Sequence, residues 1–189
     1  MNELVDLFEV HDVHSSPARF DMKKLEAING DKIRALTSEE FLNWSVPFLT
    51  NAGVISGTDS ELTLVKAALP IIQERIVKLD EIPAMLKFLF VKEFAVEADS
   101  KEKIRDDQSK QVLKRALEVL EPLSTWSHEA IEGALRAALI EELGLKPRIA
   151  FGAVRIAATG SHISPPLFES MELLGKESSI SRIRAAISL

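Results

Sequence analysis

The 189 residues include no cysteine and no tyrosine, so neither a disulfide framework nor a thiolate metal site is available. Aromatic residues are scarce at 6%, and any stacking surface must be built from a few phenylalanines and two tryptophans. No apolar run approaches the roughly 20 residues that a membrane span needs. The opening MNELVDLFEV is acidic where a secretory leader would be basic, so a cytoplasmic protein with no membrane partner is expected. A basic excess is also lacking: 23 Lys+Arg against 29 Asp+Glu leave a net charge of -6, which disfavours a surface coated for phosphate binding. Glycine-rich phosphate loops are absent.

What is present fits an ordinary globular chain, 46% hydrophobic and 28% charged, long enough for one domain or two. The charge is uneven. Residues 1–100 hold 10 Lys+Arg and 17 Asp+Glu, whereas residues 101–189 hold 13 and 12. The second half is therefore near neutral and can present a local basic face.

In order, Leu4, Val5, Leu7, Phe8 and Val10 form an apolar cluster too short to fold alone, and Asn29-Gly30 reads as a turn. Thr37 to Glu40 is a capping box opening a helix to about Thr50, kinked at Pro47. Leu62, Val65, Leu69, Ile72 and Ile76 recur at helical spacing to about Leu79, with Pro70 predicting a kink. Met85, Leu86, Leu89 and Phe90 add another apolar face, and residues 92–100 are polar enough for a linker. Asp99 to Glu102 reads as a second capping box, with Val112, Leu113, Ala116, Leu117 and Leu120 behind it; Pro122 stops that helix. Ser127 caps a helix predicted to reach Gly144. Residues 149–158 suit a strand or a buried helix, and the helix is preferred because no other strand candidate exists to pair with them. Ser164 is the expected cap of the next helix, with Pro165 at its first position, Gly175 its stop, and a final helix after it. The expectation is an all-α chain of about nine or ten helices without a fixed repeat.

Chemistry-bearing residues are few. His11 and His14 are three apart but lack a third ligand, and His128 and His162 have no evident serine or cysteine to activate, so no metal site is expected. Arg75 falls on the helix patterned by Leu69, Ile72 and Ile76, where pairing with Glu74 or Asp80 is sufficient to explain it. Thr159 and Gly160 can simply close one helix and Ser164 open another. Leu167 and Phe168 either fill the core or offer a surface for an unstacked base.

The stretches VRIAATGS at 154–161, SPPLFES at 164–170 and ELLGKE at 172–177 resemble the C-terminal end of bacterial glutamyl-tRNA synthetases, a class I family. Its pattern there runs R-x-A-x-T-G-S, then S/T-P-x-L-F-E, then L-L-G-x-E. Residues 17–29 and 66–90 are also similar to that family. The resemblance implies a C-terminal piece of a stem-contact domain at 1–37 and two helical anticodon-binding subdomains, at 38–98 and 99–189. It implies that Arg155, Ser164, Leu167 and Phe168 meet the first two anticodon bases, with Thr159 and Gly160 as the supporting turn. Arg75 matches the family arginine that reads the third base, and so implies selection of tRNA(Glu). The partner implied is the anticodon loop of tRNA(Glu), with no DNA. A parent enzyme, expected to be a monomer, would use ATP with Mg2+ and L-glutamate in an N-terminal catalytic part that these residues lack, because neither the His-x-Gly-His nor the Lys-x-Ser-Lys signature occurs. These residues are thus expected to be a non-catalytic, cofactor-free piece of that enzyme. The rival expectation is a helical protein–protein interaction module without tRNA affinity.

Overall fold

The computed structural model describes residues 7–9, 11, 20–91 and 93–189. Every regular element among them is helical. Leu4, Val5 and Val10 of the expected opening cluster, His14, residues 17–19 and Lys92 lie outside the described residues; Leu7 and Phe8 are exposed.

The first core is built from α1 (Met22–Arg34), α2 (Ser38–Asn51), α3 (Asp59–Ala68), the four-residue α4 (Pro70–Gln73), a 3-10 turn (Leu79–Glu81) and α5 (Ile82–Leu86), ending in a second 3-10 turn (Lys87–Leu89). Thr37 and Glu40 form the expected capping box at the start of α2, the Thr37 hydroxyl accepting from Glu40 N while Glu40 Oε2 accepts from Thr37 N. Thr58 and Glu61 form a second such box on α3, which the sequence reading missed. Phe41, Leu49, Val65, Ile72, Ile76, Ile82 and Leu86 are fully or almost fully buried and make the centre.

Two expectations fail in this half, at Asn29-Gly30 and at Pro70. Asn29-Gly30 is no turn but lies inside α1. Gly30 lies in a close approach, where a Cβ would stand 3.1 Å from the Arg34 guanidinium and 3.2 Å from a Val77 methyl, so that a side chain there would displace them slightly. Pro47 does not interrupt α2, which runs through it. Pro70, by contrast, ends the pattern more sharply than a kink: α3 stops at Ala68, and Pro70 opens the separate α4, where its missing N–H is tolerated. The periodicity that continued to Leu79 therefore spans a turn, held by Gln73 Nε2 donating to Ile33 O and Leu36 O at 3.0 Å.

The second core comprises α6 (Ala98–Lys101), a 3-10 turn (Glu102–Ile104), α7 (Asp107–Leu120), α8 (His128–Arg136), a π turn (Ala137–Glu142), α9 (Pro147–Thr159), α10 (Leu167–Leu174) and α11 (Lys176–Ile187). Helix α9 is central. Ala150, Ala153, Ala157 and Ala158 let α7 and α11 approach it closely while Val154 and Ile156 fill the space between. The preference for helix over strand at 149–158 is met. The Asp99 capping box is not formed, because α7 starts later, with Asp106 Oδ1 accepting from Ser109 N at 2.9 Å. Ser100 is instead buried against His162. Beyond Arg136 the helix expected to reach Gly144 loosens into the π turn.

The two cores meet at α10. It packs on α3, and its Leu173 reaches the first cluster while Leu167 and Met171 belong to the second.

Candidate nucleic-acid interface

Arg155 stands on α9, four residues before Thr159 and one turn from the helix end. Its Nη1 donates to Ser164 Oγ at 2.9 Å and to Pro165 O at 2.7 Å. Ser164 is therefore not the cap of the following helix, as its position in the sequence implied. Helix α10 starts only at Leu167, with Pro166 before it and no side-chain cap, because the Ser164 hydroxyl is committed to Arg155 and to Pro165 O. The turn beneath is tightly specified. Thr159 Oγ1 donates to Arg155 O at 2.8 Å, and Gly160 takes φ 83, the left-handed region that glycine tolerates best. Gly160 O accepts from Glu97 N at 2.8 Å, and a Cβ on Gly160 would stand 3.0 Å from Ala95 O.

Leu167 is 3% exposed and sits in the second core, so of the two alternatives open for Leu167 and Phe168 it takes core filling. Phe168 is only half-buried and meets Phe151 edge-to-face, ring centroids 5.2 Å apart. Phe151 was missed by sequence reasoning, although it stands one helical turn before Arg155 and so shares its face.

Arg75 is not on a helix: it follows α4 in a turn, exposed. No carboxylate among the described residues forms an ion pair with it, so the expected pairing with Glu74 or Asp80 is absent. It stands close enough to Arg155 to act on its charge. Burial first, and then the like charge of Arg75, lower the Arg155 pKa below the usual arginine value, while Glu169 opposes the shift. The structure thus brings together Arg75, Arg155, Ser164 and Phe168, with Thr159 and Gly160 under them and Leu167 behind. A groove of about 700 Å³ opens beside Arg155, bordered by Lys103, Arg148, Phe151 and His162. Lys103, Arg148 and Arg155, against one acid, Asp106, line this groove with the Phe151 ring and make a surface suited to an anionic, flat-faced ligand.

Among the described residues no group of three or more His, Asp or Glu could hold a metal ion, and no described helix is long and apolar enough to cross a membrane.

Comparison with known proteins shows the family and the fold. A family model described as anticodon binding domain matches residues 37–187. The chain belongs to the anticodon-binding domain family. Relatives include glutamate–tRNA ligases of Nocardioides sp., 48% identical, and Saccharopolyspora erythraea, 45% identical, each over 99% of this chain. The chain spans 39% and 38% of their lengths. In fold, the domain matches a crystal structure of a glutamate tRNA ligase from Elizabethkingia meningosepticum with a TM-score of 0.72 at 23% identity, over 99% of this chain and 36% of that one. The glutamyl-tRNA synthetase resemblance read from residues 154–177 is therefore met, as is the all-helical architecture.

Proposed function

We propose that this chain holds the anticodon loop of tRNA(Glu) and so selects that tRNA for glutamylation. The observation that carries the reading is Arg155 held by Ser164 Oγ and Pro165 O, with exposed Arg75, which no carboxylate among the described residues pairs, close enough to act on its charge. Like charges gathered at a surface cost stability unless a third, anionic partner is meant to lie between them. In this reading residues 1–37 end a stem-contact domain, and residues 38–98 and 99–189 are two anticodon-binding subdomains. Arg155 and Ser164 form one bonded unit that offers its remaining N–H donors to the first two anticodon bases. Phe168 supplies a stacking edge beside them, and Leu167 holds Phe168 in place from the core. Arg75 reads the third base, as a planar fork of donors suits a base edge. In this reading ATP, Mg2+ and L-glutamate belong to another part of a cytoplasmic, monomeric parent enzyme.

Titration of the chain with tRNA(Glu), and with the same tRNA carrying G for C at the third anticodon base, tests this at one fixed salt concentration. The expected preference is about 1–3 kcal/mol, the usual value of a good arginine–base contact, and it disappears in Arg75→Gln. Equal affinity for both RNAs before and after the substitution overturns the role of Arg75. No RNA affinity at all favours a protein-interaction module.

A further inference from the structure

Arg182, on α11, reaches the place where the two cores and their connection meet. Its Nη2 donates to Phe88 O at 2.9 Å and its Nη1 to Ala158 O at 2.9 Å. Its guanidinium carbon lies 4.0 Å from the centroid of the Phe94 ring. These three partners belong to different bodies: Phe88 closes the first half, Ala158 lies in the last turn of α9, and Phe94 is in the connection between them. No carboxylate among the described residues pairs with Arg182, and burial lowers its pKa to about 10.

A half-buried cation without an anion is a poor choice for stability, because an apolar side chain of similar length avoids the desolvation cost. What only a guanidinium provides is a rigid fork that bonds two carbonyls while its flat face lies on a ring. Other ties between the cores include the apolar contact of α10 with α3, Leu173 against the first cluster, and Lys87 Nζ paired with Glu97, whose N–H donates to Gly160 O. One apolar patch resists separation but permits rocking, since its energy is nearly independent of direction. The half-buried fork of Arg182, bonded to a carbonyl on each side, restricts that freedom more than the exposed Lys87–Glu97 pair does.

We infer that Arg182 is a positioning residue that fixes the angle between the two subdomains and thereby holds Arg75 opposite Arg155. Its effect on tRNA rests on the function proposed above; its effect on the angle does not. The lack of native cysteines makes a direct test simple. Lys66→Cys on α3 and Lys114→Cys on α7, both exposed, take one pair of spin labels across the two cores without a tRNA being present. The unmodified chain should give one narrow distance distribution. Arg182→Met keeps the stem on Phe94 but loses both hydrogen bonds, and should broaden the distribution by about twofold with helical content retained. Arg182→Lys, able to reach one carbonyl, should fall between. An unchanged width in whichever of the two variants remains folded overturns the inference.

A second readout separates positioning from bulk stability. In the Arg182→Met background, the factor by which Arg75→Gln weakens binding to tRNA(Glu) should shrink by about threefold or more, since the two substitutions act on one arrangement. An undiminished factor overturns the positioning role. Absence of tRNA binding in the unmodified chain would count against the proposed function, while the label distances would still decide the inference about the angle.

Discussion

At the residue scale, Arg155 and Thr159 of the candidate site are held by specific partners, while Arg75 stands exposed. Arg155 is fixed by Ser164 Oγ and Pro165 O, so Ser164→Ala should weaken tRNA binding by about 1 kcal/mol, the usual worth of one hydrogen bond, while leaving the helical spectrum unchanged. A titration in which Ser164→Ala binds as tightly as the parent chain removes Ser164 from the site. His128 shows a different kind of tie. Its Nδ1 lies 2.8 Å from Glu172 and its Nε2 3.1 Å from Glu129, joining the start of α8 to α10. The hydrogen bond to Glu172 raises its pKa above the ordinary 6.5, with desolvation opposing. A raised folded-state pKa means that the stabilisation is fully present below 6.5 and is lost as pH rises through the higher folded value. Glu172→Gln should therefore move the NMR titration midpoint of His128 downward. A midpoint that stays where it was shows that Glu172 is not the cause.

At the element scale, helix ends decide most of the geometry. The boxes at Thr37 and Thr58 satisfy otherwise orphaned N–H groups. Their glutamates, Glu40 and Glu61, have pKa values lowered chiefly by backbone hydrogen bonds from Thr37 and Thr58. That contribution is present above the ordinary value of 4.5 and declines as pH falls through the lower folded values. Thr58→Ala should cost about 1 kcal/mol in a denaturant melt at neutral pH; no loss would show that the cap is redundant. Gly160 marks the opposite end of α9. With φ 83 and Ala95 O at 3.0 Å from a built Cβ, Gly160→Ala should cost more than about 1 kcal/mol. It should also disturb the bond from Glu97 N. Unaltered hydrogen exchange at Glu97 in that variant would show that the turn has room to relax.

For the whole molecule, two buried clusters face each other across α10, joined by Leu173 and by Arg182. Leu113 is fully buried in the second cluster, so Leu113→Ala should remove about 2–5 kcal/mol. If the joint couples the clusters, hydrogen-exchange protection at Leu49 and Ile76 in the first one should fall with it. Protection unchanged there would show that the halves unfold separately. The net charge of -6 is carried mostly by residues 1–100, and Arg155 shares its groove with Lys103 and Arg148. RNA affinity should accordingly fall by roughly 0.7 log units per phosphate contact per tenfold salt.

The sequence by itself determined the helical class and the start of α2, because apolar spacing and capping chemistry act within a few residues. It also determined the family, through the motifs at residues 154–177. It located Gly160 and Gly175 correctly as helix stops, since both take positive φ. Local signals misread Ser164, Asn29-Gly30 and the start of α7, where a distant or neighbouring turn claimed the group: Arg155 took the Ser164 hydroxyl, Asn29 turned its amide to Val77 O, and His162 drew Ser100 inward. Arg75 looked helical because the apolar period continued past Pro70, although the backbone did not. Only the tertiary structure brought Arg75 near Arg155 and carried Arg182 across to Phe88 O, 94 residues away. Such placements depend on how two separately buried cores pack together, and spacing along one chain does not encode them.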